Sequence, residues 1–96
     1  MTKAVTRPSS VQPARLRVAD AGAIQALANG QADEAQQKHA LTWILKKACM
    51  EGDWAYQESQ RETDIALGRQ FVAQQIVGAI AVNISALRKL EERANG

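Results

Sequence analysis

Cysteine, histidine, proline and aromatic residues are all scarce in this 96-residue chain, and several classes of function are excluded as a result. A single cysteine, Cys49, cannot form an internal disulfide, and one cysteine with one histidine is too few for the usual four-ligand zinc site. No run of roughly 18 apolar residues occurs, and the first segment lacks the apolar core of a signal peptide. We therefore expect a soluble protein made in a reducing compartment, without structural metal and without a membrane span.

Catalytic patterns are also missing. No glycine-rich phosphate loop or paired-histidine zinc motif is present. Acidic residues cluster between positions 51 and 64, but carboxylates act in hydrolysis only when a cleft poor in water holds them at a defined separation. A chain of this length buries only about 60 to 70% of its unfolded surface, which is too little for a large enclosed site. We predict no enzymatic activity and no cofactor.

Small and aliphatic residues make up most of the apolar 46% of the chain, and this composition is typical of closely packed helices. We predict an all-α fold: a helical hairpin with a long C-terminal helix, a short N-terminal accessory helix and an irregular basic arm. The predicted division is a flexible basic arm over residues 1–18 and a helical domain over residues 19–96.

The predicted arm carries four basic residues and no acidic residue before position 18, whereas the remainder is slightly acidic. Pro8 and Pro13 favour extended or irregular backbone there. Two interpretations stay open: a solvated tail, or a segment that lies along phosphates or an acidic protein surface. The basic residues are Lys3, Arg7, Arg15 and Arg17.

Two helices are predicted in the first half of the domain. The first has Asp20 as its N-cap and ends at Asn29-Gly30, and the second covers about residues 32–50 and is stopped by Gly52. The apolar sector of the second helix contains Leu41, Ile44, Leu45, Ala48 and Cys49. The opposite side, with His39, Trp43, Lys46, Lys47 and Met50, is either a basic aromatic binding patch or the edge of the core around Trp43.

The third helix follows a connector over residues 51–60. Trp54 and Tyr56 in this connector are expected to fold back and cover the end of the helical pair, because large apolar side chains are unfavourable in water. Ser59 and Glu62 match a capping box, and no proline follows, so the helix is predicted to continue to about Arg93, roughly 50 Å.

The third helix has apolar residues on more than one side. Its main stripe is predicted to pack on the second helix and contains Ile65, Val72, Ile76, Ile80, Leu87 and Leu90. Leu67, Phe71 and Val82 lie on another side, near Gly78. Gly68 and Gly78 favour close approach of a second backbone, or else a kink. We expect the first helix, another subunit, or both to cover the second side.

Arg69 lies within the apolar sector of the third helix. A charged group in that position needs a partner. The expected partner is a carboxylate of the connector, Asp53 or Glu58, and the alternative is a group on another protein.

Two stretches, "LTWILKKACMEGDWAY" and "ETDIALGRQFVAQQI", are similar to a family of small helical tailed-phage proteins typified by a Bordetella podophage protein. The matching features are Trp43 and Leu45 in the first stretch and Thr63, Gly68 and Arg69 in the second, over roughly 40 of 96 residues. The resemblance implies an origin among phage head and packaging genes, and it implies no catalytic residues.

The two-sided third helix and the resemblance together predict a small phage structural or assembly protein. Its partners would be head, portal or ejection proteins, or further copies of itself, and its location the virion, after assembly in the host cytoplasm. The interaction residues are predicted to be Phe71, Gly78 and Val82 on the partner-facing side, with Trp43, Trp54, Tyr56, Gly68 and Arg69 at the structural junction. The alternative is a nucleic-acid-binding accessory protein for DNA packaging or regulation, contacting DNA through Lys3, Arg7, Arg15, Arg17, Lys46 and Lys47.

Overall fold

The computed structural model describes residues 9–95, and this range is helical without any β-strand. The helices are α1 (Val18–Ala28), α2 (Glu34–Trp43), α3 (Gln60–Ala81) and α4 (Ile84–Asn95), and a π-helical segment (Ile44–Ala48) continues directly from α2. The predicted all-α class is therefore confirmed.

Helices α1 and α2 form a short antiparallel hairpin around two fully buried alanines, Ala23 and Ala40. Asp33 is the N-cap of α2, and its side chain accepts a hydrogen bond from the backbone N–H of Gln36 at 2.8 Å. The sequence predicted Asp20 as the N-cap of α1, and this prediction is wrong. The N-cap is Arg17, three residues earlier, and the Asp20 carboxylate instead accepts from the backbone N–H of Arg17 at 2.9 Å.

The second predicted helix is continuous, but its last turn is wider than an α-helix. The N–H of Cys49 donates to the carbonyl of Ile44 at 2.9 Å, five residues back. Met50 then turns the chain with a positive φ of 55°, so the helix ends before the predicted stop at Gly52. Met50 is only 1% exposed. Burial of its side chain offsets the cost of the left-handed backbone, which is about 1 kcal/mol.

The core lies where α3 crosses the π-helical segment. It contains Cys49 and Met50 on one side and Ala66 and Ala73 on the other. The predicted aliphatic stripe of α3 does not form this contact: Val72 and Ile80 are 45% and 63% exposed. The small side chains of the two alanines, seven residues apart on one face, let the backbone of the connector approach α3 closely. Bulkier residues would keep it away.

The predicted continuous helix to Arg93 is wrong. Val82 is extended, with φ −64° and ψ 142°, and the axes of α3 and α4 differ by 98°. Asn83 then starts α4: its side-chain oxygen accepts from the N–H of Ala86 at 2.9 Å. Neither Gly68 nor Gly78 causes the break.

The molecule is elongated, with extents of 64 × 36 × 19 Å and a radius of gyration of 17.3 Å. A compact domain of this length has a radius of gyration of about 13 Å. The difference arises at the C-terminal side, because α3 contacts only the π-helical segment among the described helices and α4 contacts none of them. The α1–α2 hairpin does not cover the second side of α3.

Candidate interaction surfaces

Arg69 joins three segments of the chain through backbone carbonyl groups. Its guanidinium donates to the carbonyls of Lys47 and Ala48, at 3.2 and 2.8 Å, where the π-helical segment ends. It also donates to carbonyls of the N-terminal segment, at 3.4, 2.9 and 3.3 Å, which belong to Ser9, Ser10 and Gln12. The expected ion pair with Asp53 or Glu58 is wrong. The positive charge instead faces the negative end of a helix, where carbonyls lack partners.

Gln70 fixes the connector beside this junction. Its side-chain amide donates to the carbonyls of Met50 and Asp53, at 3.0 and 2.7 Å. On the neighbouring turn, the hydroxyl of Ser10 donates to the carbonyl of Glu62 at 2.6 Å, and Ser10 is 4% exposed. Consecutive residues of α3 therefore hold the connector on one side and the N-terminal segment on the other.

The three aromatic residues of the predicted junction do not meet there. Trp54 and Tyr56 are 70% and 67% exposed, so the expectation that they cover the end of the helical pair is wrong. Trp43 is half-buried at the edge of the hairpin, and its indole N–H donates to the carbonyl of Arg15 at 2.9 Å. The bond anchors residues 15–17 against α2.

The predicted partner-facing residues of α3 point to solvent. Phe71 and Val82 are 60% and 45% exposed. A Cβ at Gly68 or Gly78 would meet no atom within 4 Å among the described residues, so these glycines do not serve close approach within this chain. Gly78 lines a surface depression of about 520 Å³ with Ala73, Val77 and the connector residues Glu51 and Asp53.

A second depression, of about 420 Å³, lies between the start of α1 and the α2–π helix. We call it the basic groove, and its lining residues are Arg17, Asp20, Lys38, His39, Thr42, Trp43, Lys46 and Lys47. It brings together three of the predicted nucleic-acid residues: Arg17, Lys46 and Lys47. Arg15 is adjacent in sequence, whereas Lys3 and Arg7 lie outside the described residues.

A hydrogen bond crosses the basic groove and ties α1 to α2. The imidazole Nε2 of His39 and the Asp20 carboxylate lie 2.6 Å apart. The hydrogen bond from His39, with that from the backbone N–H of Arg17, lowers the pKa of Asp20 below its ordinary value of 3.8. Asp20 thus stays ionised and holds the two helices together.

Residues 9–95 contain no group of three or more His, Cys, Asp or Glu side chains placed to hold a metal ion. The cysteine is buried. Within the same range no single helix has the length and apolar composition to cross a membrane, although the bent pair α3–α4 meets these criteria when the two helices are taken together. The predicted absence of enzymatic activity stays a prediction.

Comparison with known proteins gives no relative. No protein-family model, no curated protein and no solved structure matches the chain. The function is therefore argued from the surfaces described above and from the resemblance of the two quoted stretches.

Several structural residues were missed by the sequence analysis, and three of them carried a usable signal. Asn83 precedes an amphipathic stretch and is a common N-cap residue, and the spacing of Ala66 and Ala73 places both on one helical face. Gln70 and Met50 gave no such signal. Gln70 acts through hydrogen bonds to backbone carbonyls and Met50 through its positive φ angle, and the pattern of side chains in the sequence predicts neither.

Proposed function

We propose that this protein is a small structural or assembly protein of a tailed phage, which docks through the apolar surface of α3 and α4 onto a second copy of itself. In the virion, the same surface would also contact head, portal or ejection proteins. The observation that carries the proposal is the exposure of several large apolar side chains on both helices. The resemblance to the phage family supplies the biological setting.

The end of α3 supports this proposal because its last residues are not buried by other described parts of the chain. From Val77 to Val82 every residue is exposed. Leu67, Phe71 and Ile80 add further apolar surface, and they are 51%, 60% and 63% exposed. Single exposed apolar residues are ordinary, whereas many large ones close together in one segment favour a protein–protein interface.

Helix α4 supports it more directly. Ile84, Leu87 and Leu90 follow one another at three-residue intervals and lie on one face, at 65%, 43% and 59% exposure. Charged residues, including Arg88 and Lys89, occupy the opposite face. A 12-residue helix is marginal in isolation, and most helices gain stability by packing an apolar face. This helix is therefore expected to pack on another protein surface.

The energetics favour a reversible association. Complete burial of a large aliphatic or aromatic side chain contributes about 1.5–3 kcal/mol, and these residues are already roughly half-buried. Covering eight of them at half that value gives about 6–12 kcal/mol, against an association cost of about 4–15 kcal/mol. We expect oligomers at high protein concentration and within an assembly, and monomers in dilute solution.

Sedimentation equilibrium over a concentration series tests the proposal. The wild-type chain is expected to associate as its concentration rises. The double variant Leu87→Asp/Leu90→Asp should be monomeric throughout, because it places two charges on the apolar face of α4. The control Ser85→Asp/Asn95→Asp adds the same charge on exposed positions and should associate like the wild type. A monomeric wild type at about millimolar concentration would overturn self-association.

The virion location needs its own test. Mass spectrometry of purified virions of the phage that encodes this chain should detect it in stoichiometric copies. Complete absence from virions would leave only a role during assembly in the host cytoplasm.

A further inference from the structure

We propose that the basic groove binds the phosphate backbone of duplex DNA. The side chains of Arg17 and Lys47, which line the groove, and of Arg15, which precedes it in the chain, would contact phosphates. This site lies on the α1–α2 hairpin rather than on the α3–α4 surface, and it does not depend on self-association.

The fold uses the backbone of these three residues and leaves their charged groups available. The Arg15 carbonyl accepts the Trp43 indole N–H at 2.9 Å, and the Arg17 N–H donates to Asp20 at 2.9 Å. The Lys47 carbonyl accepts from Arg69 at 3.2 Å. All three residues are exposed, and within residues 9–95 no carboxylate pairs with their side chains. Their positions are thus fixed while their cations face solvent.

The remaining basic residues of the groove already have partners. Lys38 binds Glu34 at 2.9 Å, Lys46 binds Glu51, and His39 binds Asp20. These pairs are structural or lie on the surface, where each contributes little to attraction of a ligand. The unpaired Arg15, Arg17 and Lys47 therefore provide the net positive potential.

The lining of the groove suits a phosphate chain. Its volume is about 420 Å³, and among the described residues Asp20 is the one acidic residue that lines it. The Asp20 carboxylate already accepts hydrogen bonds from Arg17 and His39, so its charge is partly neutralised towards a ligand. The ring of Trp43, whose N–H is satisfied, gives the groove an apolar wall against which a sugar can pack.

The sequence before the groove adds to the same charge. Arg7 and Lys3 precede Arg15 by 8 and 12 residues, and no acidic residue lies between them. Lys3 and Arg7 lie outside the described residues, and they add two positive charges to the sequence that leads to Arg15. Phosphate contacts of this kind fix position without reading sequence, so the expected binding is non-specific.

Fluorescence anisotropy with a labelled duplex of about 20 base pairs, at 50 to 200 mM salt, tests the site. Each phosphate contact contributes about −0.9 to the slope of log affinity against log salt, so a slope of about −3 to −5 is expected. Arg15→Gln/Arg17→Gln/Lys47→Gln keeps the three backbone hydrogen bonds. It should lower affinity at least about tenfold at 50 mM salt and reduce the slope by about three.

The matched control is Arg88→Gln/Lys89→Gln/Arg93→Gln, which removes the same charge from α4. It should retain nearly full affinity and slope. Equal losses in the two triple variants would overturn the groove as the site, as would the absence of binding by the wild type at 50 mM salt. Repeating the titration with Leu87→Asp/Leu90→Asp separates this result from self-association, and that variant should bind DNA normally.

Tryptophan fluorescence locates the ligand. In Trp54→Phe the only indole is Trp43, and its emission should change on addition of duplex DNA with the same midpoint as the anisotropy. An unchanged emission while anisotropy rises would place the DNA elsewhere and overturn the proposal. Vesicles of anionic lipid are the competing anionic surface, and tighter binding to them than to duplex DNA at the same salt would also overturn it.

Discussion

A single guanidinium, that of Arg69, connects parts of the chain that are about 20 and 60 residues away in sequence. The planar group has five N–H donors in a fixed fork, and here it serves carbonyls on two sides. A lysine ammonium carries the same charge but is a compact group that cannot span both sets. Geometry, rather than charge, is what this position requires.

We therefore expect Arg69→Lys to lower the free energy of unfolding by about 2 kcal/mol, since hydrogen bonds to charged groups each contribute about 1.5–3 kcal/mol and only some are retained. Urea unfolding followed by circular dichroism measures the change. Arg61→Lys, at an exposed position in the first turn of α3, is the control and should change stability by less than about 0.5 kcal/mol. Equal stability of the wild type and Arg69→Lys would show that the hydrogen bonds of the guanidinium do not stabilise the fold.

Asp20 gives the hairpin a dependence on pH whose sign follows from its lowered pKa. The folded state favours the ionised carboxylate, so this contribution to stability is present above the unfolded pKa of about 3.8 and is lost as the pH falls through the lower folded value. Asp20→Asn should be less stable than the wild type at pH 6, and the difference should shrink below about pH 4. Urea unfolding at several pH values measures it, with the exposed Glu91→Gln as control.

At the residue scale, the sequence identified the importance of Arg69 but assigned the wrong partner. A buried arginine predicts a partner, and a carboxylate is the obvious choice in a list of side chains. The actual acceptors are backbone carbonyls, whose positions depend on how the chain folds. The prediction for Trp54 and Tyr56 failed for a similar reason. Their apolar character predicts burial, but the sequence does not show whether other parts of the chain pack against them.

The bend between α3 and α4 is the main feature at the scale of elements. It depends on two residues: Val82 leaves the helical conformation, and Asn83 caps the next helix. A β-branched residue followed by a good N-cap residue favours an interruption, although neither excludes a continuous helix. The consequence is that the apolar faces of the two helices point in different directions.

Replacing the cap tests this account. Asn83→Ala should remove about 1 kcal/mol from α4 as a separate helix and favour one continuous helix across residues 60–95. Spin labels at positions 64 and 92, in a Cys49→Ala background, would be about 42 Å apart in a straight helix and about 30 Å apart with the observed bend. An unchanged distance in Asn83→Ala would show that Val82 alone, or packing, sets the bend. Asn95→Ala is the control.

Helix positions were predicted well where local signals are strong. Asp33, Ser59 and the glycine after Asn29 lie at helix ends, as expected from their capping chemistry. The packing face of α3 was predicted only in part: Ile65 and Ile76 of the predicted stripe are half-buried, but Val72 and Ile80 are exposed. The fully buried residues are two alanines beside the stripe, Ala66 and Ala73. Small residues are favoured where α3 lies close to the backbone of the connector. The sequence alone does not show that α3 packs against backbone there.

At the scale of the whole molecule, stability and assembly reside in different parts. The buried residues lie in the hairpin, in the turn after the π-helical segment, in the N-terminal segment and in α3 as far as Ala73, whereas α4 contributes none. The accessible surface of 7787 Å² exceeds the roughly 5,400 Å² of a compact monomer of 10.4 kDa. Much of the apolar part of this surface is on the C-terminal helices.

A truncated chain ending at Val82 should therefore unfold at nearly the same denaturant concentration as the full chain. Its self-association should be abolished or strongly weakened, because the face formed by Ile84, Leu87 and Leu90 is missing. Urea unfolding in dilute solution and sedimentation equilibrium measure the two properties. A marked loss of stability in the truncated monomer would show that α4 packs on its own chain in solution.

Removing the N-terminal segment before Pro13 should instead lower the stability of the fold. The carbonyls of Ser9, Ser10 and Gln12 accept hydrogen bonds from one nitrogen of the Arg69 guanidinium. A chain that starts at Pro13 would lack these three acceptors, and the nitrogen would have no protein partner beside the core. Residues 9–12, whose composition predicts a flexible arm, are therefore part of the folded domain. Anyone choosing boundaries for expression, fusion or labelling should preserve the amino-terminal turn and treat the far helix as the removable portion.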